Sequence, residues 1–293
     1  MMSSQEHLVF VGIGAIGLPM ARRLVDAGFS VTGVDPVPAA HDRARAAGIT
    51  PVERLSDAPE AEIVVVMVAT PDQLEAVVSS AVGRPDVNGQ RWVIMSTVGP
   101  EAVRAQGRRL EAAGAEVVDA PVTGGVARAV TGELTVFASG PAAALESVRG
   151  VLSPLGTVRN VGATIGDGQS IKVVNQHLCS VHIVAAAEAL SLAETLGLDK
   201  TAVLDLIAGG AAGSWMLNDR GPRMLQSTDV EVTSTVGIFV KDSSLVAAAA
   251  QRSGAATPLL DVAKERYEMA AARGLLGRDD SRVIETYQHS SAH

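Results

Sequence analysis

The sequence predicts an α/β domain built on a parallel sheet, followed by an all-α domain, the two joined by one long helix. Three observations predict it. Short apolar strands alternate with helical segments through residues 1–165, the pattern of successive βαβ units. Beyond residue 165 the strand pattern thins and helical segments take over, so residues 166–293 read as a second domain. Between 170 and 196 no Gly or Pro interrupts a largely apolar, alanine-rich run, which reads as about 27 residues of helix, about 40 Å long.

Composition narrows the function classes. The chain has 293 residues, which suits two domains each able to build a core. A net charge of −8 argues against nucleic acid or an anionic membrane as partner. Cys179 is the one cysteine, so no intrachain disulfide can form. His177 and His182 are five apart, poor helical spacing for sharing an ion, and no metal site is expected. The amino terminus carries no basic and apolar leader, and no unbroken run reaches the roughly 18 apolar residues of a membrane span. A soluble, reducing, cytoplasmic setting is expected.

The first elements carry the strongest chemical signal. Residues 8–11 form a short apolar strand, and Gly12-Ile13-Gly14-Ala15-Ile16-Gly17 follows at once. Residues 18–27 read as an amphipathic helix ended by Gly28, and 30–34 as a second strand ending at Asp35. Strand, G-x-G-x-x-G, helix, strand and acid make a dinucleotide-binding pattern, the opening of a Rossmann domain. The first glycine permits the tight turn, the second lets a pyrophosphate approach the backbone, and the third lets helix and strand pack closely. Asp35 would accept from a ribose 2′-hydroxyl and repel a 2′-phosphate, and Pro36 follows it rather than a phosphate-holding arginine. His41, Arg43 and Arg45 lie further on. NAD is therefore the expected cofactor, ahead of NADP.

The alternation continues. Residues 61–68 form a buried strand, with a loop before the helix that starts at Asp72. Residues 92–95 form another, ending in Ser96-Thr97-Val98-Gly99-Pro100. Open parallel sheets place ligands at such strand ends. Val68, Thr70 and Thr97 are candidates for cofactor contact there, and capping is an equally natural job for the threonines. Residues 116–118 lead into Asp119-Ala120-Pro121-Val122-Thr123-Gly124-Gly125, ahead of a helical pattern over 126–132. A hydroxyl and unclaimed backbone N–H groups at Thr123, Gly124 and Gly125 suit a small carboxylate, and a plain turn would look the same. Residues 134–139 and 155–161 are further strands.

The long helix is expected to begin with Ser170 as N-cap, behind a glycine lead-in. Lys172, Asn175 and Gln176 fall at i, i+3 and i+4, so one face offers an amine and two amides. A cation is disfavoured at the positive end of a helix, which speaks for a ligand-directed lysine there. Later helices are expected over 200–207, 214–225, 235–252, 258–273 and 281–289, with strand possible over 230–240 because of its β-branched residues. Residues 289–293 read as a disordered tail.

Taken together, Gly12–Gly17, Asp119–Gly125, Lys172–Gln176 and the later Lys241-Asp242 resemble the β-hydroxyacid dehydrogenases, the 3-hydroxyisobutyrate dehydrogenase-like relatives of 6-phosphogluconate dehydrogenase. That family pattern is similar to D-A-P-V-S-G-G, then G-x-x-x-K-x-x-N-N, then K-D. Thr123 stands here for the serine, Gln176 for the second asparagine, and Ser243-Ser244 alters the stretch after Lys241-Asp242. The resemblance implies a Rossmann domain followed by a helical domain, and the apolar long helix suggests a homo-oligomer, a homodimer or homotetramer. Within the family, Ala212-Gly213-Ser214-Trp215-Met216-Leu217-Asn218 and Ile238-Phe239-Val240-Lys241-Asp242 are most similar to the branch acting on L-threonate.

These parts imply a mechanism. NAD on the glycine loop would take hydride, and Lys172 would take the hydroxyl proton or return it in reduction. A lysine ammonium in water holds its proton at neutral pH, so that role requires burial or a nearby cation. Thr123, Gly124 and Gly125 would hold the substrate carboxylate, Asn175 would orient the substrate, and Gln176 would support it. Trp215 would wall the pocket or else sit in the core, and Asn218 could meet a sugar-acid hydroxyl. By resemblance Lys241 lies near the cofactor or the carboxylate, with a surface ion pair to Asp242 as the alternative. Other readings keep the fold and change the substrate to 3-hydroxyisobutyrate or tartronate semialdehyde. A reading of another class is a non-catalytic NAD-binding redox sensor, which would not need Lys172 and Asn175. Imine reductases share the architecture, but by resemblance lack a lysine at this position.

Overall fold

The computed structural model describes residues 6–287, and the expected tail lies outside them. The chain divides into two compact units, Met1–Lys172 and Val173–His293.

The first unit runs β1 (His7–Val11), α1 (Gly17–Asp26), β2 (Ser30–Val34), α2 (Pro38–Ala46), β3 (Thr50–Val52), β4 (Ile63–Val66), α3 (Pro71–Ala81), β5 (Arg91–Ile94), α4 (Pro100–Ala112) and β6 (Glu116–Asp119). It continues with β7 (Val122–Thr123), α5 (Gly125–Thr131), β8 (Leu134–Ser139), α6 (Ala142–Ser147), α7 (Arg149–Leu152) and β9 (Gly156–Gly162). Sheet order is β3-β2-β1-β4-β5-β6-β8-β7, with β9 also paired to β8. The first six strands are parallel, whereas β8 runs antiparallel to β6 and β7. The order 3-2-1-4-5-6 reverses direction between β1 and β4, so the loop after β1 opens at the switch point where such sheets bind ligands. Alternate residues of each strand serve opposite faces. Leu8, Phe10, Ile63 and Val65 join one core layer, and Val9, Val11, Val64 and Val66 the other. Burial on both faces explains why these strands read as unbroken apolar runs.

α8 (Asp167–Thr195) starts in the first unit and continues in the second. It begins three residues before the expected start. Ser170 is not its cap: its hydroxyl donates to the Gly166 carbonyl at 2.8 Å, within the first turn. α8 is long and apolar enough to cross a membrane by composition, although no unbroken apolar run announces it. Its residues Ile183, Val184, Ala187 and Leu190 are buried in the core of the helical unit, so it is a core helix.

The second unit adds α9 (Lys200–Ile207), α10 (Trp215–Met224), α11 (Val236–Ser253) and α12 (Pro258–Ala270), with a π turn over Ala271–Leu275 and a 3₁₀ segment over Asp280–Thr286. The possible strand near 230–240 resolves to helix from Val236, because Thr235 accepts from the Ile238 N–H and starts α11. The expected last helix is the 3₁₀ segment instead. Here Asp279 and Asp280 turn inward to Arg223 and Arg220, at 3.1 and 2.8 Å. Phe239 and Tyr267 stack at 5.2 Å, and the Tyr267 hydroxyl donates to the Ser180 carbonyl of α8 at 3.0 Å.

Candidate functional site

The glycine loop has the shape its sequence implies. Gly12 has φ +90°, and a Cβ there would lie 2.2 Å from the Met67 carbonyl oxygen. A Cβ on Gly17 would lie 1.9 Å from the Gly12 oxygen, whereas one on Gly14 would meet nothing within 4 Å. The first and third glycines are thus required by the protein's own packing. The second faces open space, where a phosphate can come close to backbone. Asp35 is buried, and its two oxygens accept from the Ile13 N–H at 3.1 Å and the Val37 N–H at 2.9 Å. It braces the loop and keeps a second lone pair on each oxygen for a ribose hydroxyl. These residues fit a dinucleotide.

At the neighbouring strand ends the candidates have structural jobs. The Val68 N–H donates to the Ser96 hydroxyl at 2.7 Å, so this amide is already occupied. Thr70 caps α3, its hydroxyl accepting from the Gln73 N–H at 3.2 Å. Thr97 is half-buried after β5.

Lys172 is buried, with 6% of its surface exposed, one turn into α8. The contacts that hold that turn are long-range ones, which local sequence patterns do not announce. Asp119 Oδ2 accepts from the Gly166 and Gln169 N–H groups, both at 3.0 Å, and from the Ser139 hydroxyl at 3.2 Å. Asp119 Oδ1 accepts from Gln169 Nε2 at 3.0 Å. Gln169 Oε1 in turn accepts from the Val98 and Gly99 N–H groups at 3.1 and 3.0 Å. A carboxylate at the end of β6 therefore caps α8 from a distance, where negative charge is favoured by the helix N-terminus. Burial pushes the Asp119 carboxyl up to about 6, and the Gln169, Gly166 and Ser139 donors pull the other way. The signal available in sequence was the aspartate that opens Asp119–Gly125. Gln169 carried none by itself.

Thr123 ends β7, and Gly124 and Gly125 follow with φ +133° and +68°, backbone that favours glycine. The turn is glycine-specific and half-exposed at its first two residues, as an anion site on backbone N–H groups would be.

In the helical unit, Asn175 and Gln176 belong to one chain of polar contacts. Lys241 Nζ lies 2.7 Å from Asp242 Oδ1, Gln176 Nε2 donates to Asp242 Oδ2 at 2.5 Å, and Asn175 Nδ2 donates to Gln176 Oε1 at 2.8 Å. Asp242 is 3% exposed, so the pair is not a surface ion pair. Trp215 is 48% exposed at the start of α10, which removes the core alternative for it, and Arg220 lies 5.7 Å from its ring centre. Asn218 turns its amide to the Ala208 and Ser214 carbonyls. No group of three or more His, Cys, Asp or Glu side chains suits a metal ion among the described residues.

A 3-2-1-4-5-6 sheet with this loop, followed by a helical unit, defines a protein built to bind a dinucleotide such as NAD(P). Comparison with known proteins agrees. The NAD-binding domain of 6-phosphogluconate dehydrogenase matches residues 7–166, and the NAD-binding family of NADP-dependent 3-hydroxyisobutyrate dehydrogenase matches residues 166–287. An L-threonate dehydrogenase of Cupriavidus necator is 38% identical, over 96% of this chain and 96% of its own. One from Haemophilus influenzae is 33% identical, over 98% and 97%. The crystal structure of a 3-hydroxyisobutyrate dehydrogenase from Salmonella typhimurium superposes with a TM-score of 0.87 at 31% identity, covering 96% of this chain and all of that one. The chain belongs to the 3-hydroxyisobutyrate dehydrogenase-like family of β-hydroxyacid dehydrogenases.

Proposed function

We propose that the enzyme oxidises a small polyhydroxy acid such as L-threonate with NAD, and that Lys172 is its general acid–base. The observation that carries the substrate is the identity of 38% and 33%, over nearly full length, to two L-threonate dehydrogenases. Asp35 supports NAD: a second phosphate on the ribose would bring negative charge to a buried carboxylate already held by two N–H groups. Gly12 to Gly17 with Asp35, Val68, Thr70, Thr97 and Lys241 are assigned to the cofactor. Thr123, Gly124, Gly125, Asn175, Gln176 and Trp215 are assigned to the substrate.

Held by the Gly12–Gly17 loop and Asp35, NAD would supply the acceptor for the hydride on the alcohol carbon. The chain's own residues do the rest. The amine of Lys172 takes the hydroxyl proton in oxidation, and its ammonium returns it in reduction while stabilising the developing alkoxide. Backbone N–H groups at 123–125 anchor the carboxylate. Asn175 orients the substrate.

A second reading, 3-hydroxyisobutyrate as substrate, is favoured by the name of the Salmonella structure. Assembly as a homodimer or homotetramer belongs to the same proposal, supported by exposed Val174, Leu178 and Leu192 on α8. So does a cytoplasmic setting, supported by the soluble dehydrogenase family. The test is a screen of small hydroxy acids with NAD and with NADP, followed by the absorbance of the reduced cofactor. L-Threonate should give the highest kcat/KM, with NAD favoured at least about tenfold, or roughly 1.4 kcal/mol. Equal use of NADP would remove the role of Asp35, and preference for 3-hydroxyisobutyrate would select the second reading.

A further inference from the structure

Asp119 is buried at the end of β6, and the four donors that hold it are all neutral. Such donors stabilise a carboxylate but bring no positive charge to it. Burial pushes its carboxyl up to about 6, so above that pH a carboxylate stands in the protein interior. The start of α8 is built around it. A Cβ on Gly168 would lie 2.9 Å from Asp119 Oδ2, so position 168 faces the carboxylate. Lys172 follows four residues on, one turn above on the same face. Helical side chains lean toward the N-terminus, so the Lys172 stem runs back over Gly168 in the direction of Asp119. Four residues rise about 6 Å, which puts the amine roughly 5–10 Å from the carboxylate. Both residues belong to the α/β unit. Neighbouring elements bring Arg104 and Glu101 from α4, Asp167 from α8 and Glu146 from α6, each at least partly exposed and so screened by water. Asp119 and Lys172 are both buried, and their interaction is screened much less.

We propose that Asp119 is a positioning residue that acts through Lys172: its buried charge holds up the proton affinity of the Lys172 amine against burial and the helix N-terminus. The inference rests on the assignment of Lys172 as general acid–base. Burial and the positive end of α8 both favour the neutral amine. Unopposed, they would leave a base too weak to draw the hydroxyl proton in oxidation, and an ammonium too scarce to return it in reduction. A carboxylate at that range favours the ammonium by about one pH unit. Asp119 thus does two jobs. It caps α8 through hydrogen bonds, which a neutral acceptor could also do, and it tunes the lysine through space, which only a charge can do.

The lysines are Lys172, Lys200, Lys241 and Lys264, few enough for Lys172 to be titrated directly. The full chain is isotope-labelled at lysine Cε and its NMR signals are followed with pH, the Lys172 signal being the one absent from Lys172→Ala. In Asp119→Asn the Lys172 midpoint should fall by about one pH unit. In Asp167→Asn, which removes a solvent-screened charge from the same turn, it should move by less than about 0.2 unit. The new amide of Asp119→Asn turns an NH₂ toward the Gln169 amide, which donates to Asp119 in wild type. The exchange is therefore repeated in a Gln169→Met background, where that clash is gone and the fall should be the same. A merely structural role would not give this sign, because loosening the turn admits water to Lys172 and raises its midpoint. A midpoint that stays or rises on Asp119→Asn in both backgrounds overturns the proposal. On a confirmed substrate, the rising limb of kcat/KM for oxidation should move down with the midpoint. A limb that stays while the midpoint falls supports the coupling and overturns the acid–base assignment instead.

Discussion

In the α/β unit, Asp35 and Asp119 stand at the ends of β2 and β6 and are held by neutral donors: backbone N–H groups, a glutamine amide and a serine hydroxyl. In the helical unit, Asp280 and Asp242 are held chiefly by side chains that include a cation, Arg220 at 2.8 Å and Lys241 at 2.7 Å. The difference follows from backbone geometry. A strand ends in a loop whose N–H groups the ladder has not claimed, whereas the interior N–H groups of a helix are all spent on carbonyls four residues back. A carboxylate buried among helices must find a side chain.

The largest effect expected is at Lys172, buried one turn into α8. Lys172→Ala should lower kcat by about 10²–10⁴ while folding and NAD binding hold, and Lys172→Arg should be almost as damaging because a guanidinium cannot take up the proton. More than about a tenth of wild-type kcat left in the alanine variant, on a confirmed substrate, would dismiss Lys172 as the acid–base group.

Next comes the ion-paired side of the comparison. Burial pushes the Asp280 carboxyl up and Arg220 pulls it back, while Asp280 and Asp219 hold Arg220 charged against its own burial. Arg220→Leu leaves Asp280 buried without its partner, and should cost about 3–5 kcal/mol in urea unfolding. Adding Asp280→Asn should recover part of that loss. No recovery would mean that packing, not pairing, accounts for the cost.

The neutral-donor side should show a pH dependence. The folded Asp119 carboxyl sits at about 6, above the ordinary 3.8, so the native state binds this proton more tightly than the unfolded chain. Its contribution is therefore fully present below the unfolded value and is lost as pH rises through about 6. Two pKa units correspond to roughly 3 kcal/mol. The stability of wild type relative to Asp119→Asn should fall by up to about that amount between pH 4 and pH 7, measured by urea titration at each pH. A flat difference would show that the four donors already hold Asp119 ionised.

The smallest effect concerns the loop that Asp35 braces. Gly14→Ala should change stability by no more than about 0.5 kcal/mol, because a Cβ there meets nothing, yet should weaken NAD binding about tenfold. Fluorescence titration of cofactor checks this. A loss of stability comparable to that of Gly12→Ala, whose Cβ would strike the Met67 carbonyl, would show that Gly14 serves the fold instead.

By itself the sequence determined what is local. Unbroken apolar runs marked the doubly buried strands, Gly12, Gly14 and Gly17 marked the turn after β1, and Asp35 came at the end of the next strand. Lys172, Asn175 and Gln176 shared a helical face because helical spacing requires it. The tertiary structure alone decided what is distant. Only folding brings Asp119 within 3.0 Å of the Gly166 and Gln169 N–H groups, so α8 starts at Asp167 with a cap lying 47 residues before Gly166, and Ser170 is left inside the first turn. Only folding joins Gln176 to Asp242, 66 residues on. Periodicity records how a residue relates to its neighbours within a few turns. A hydrogen bond that closes a long loop is paid for by the burial of everything between, and leaves no mark at either end of the chain that makes it.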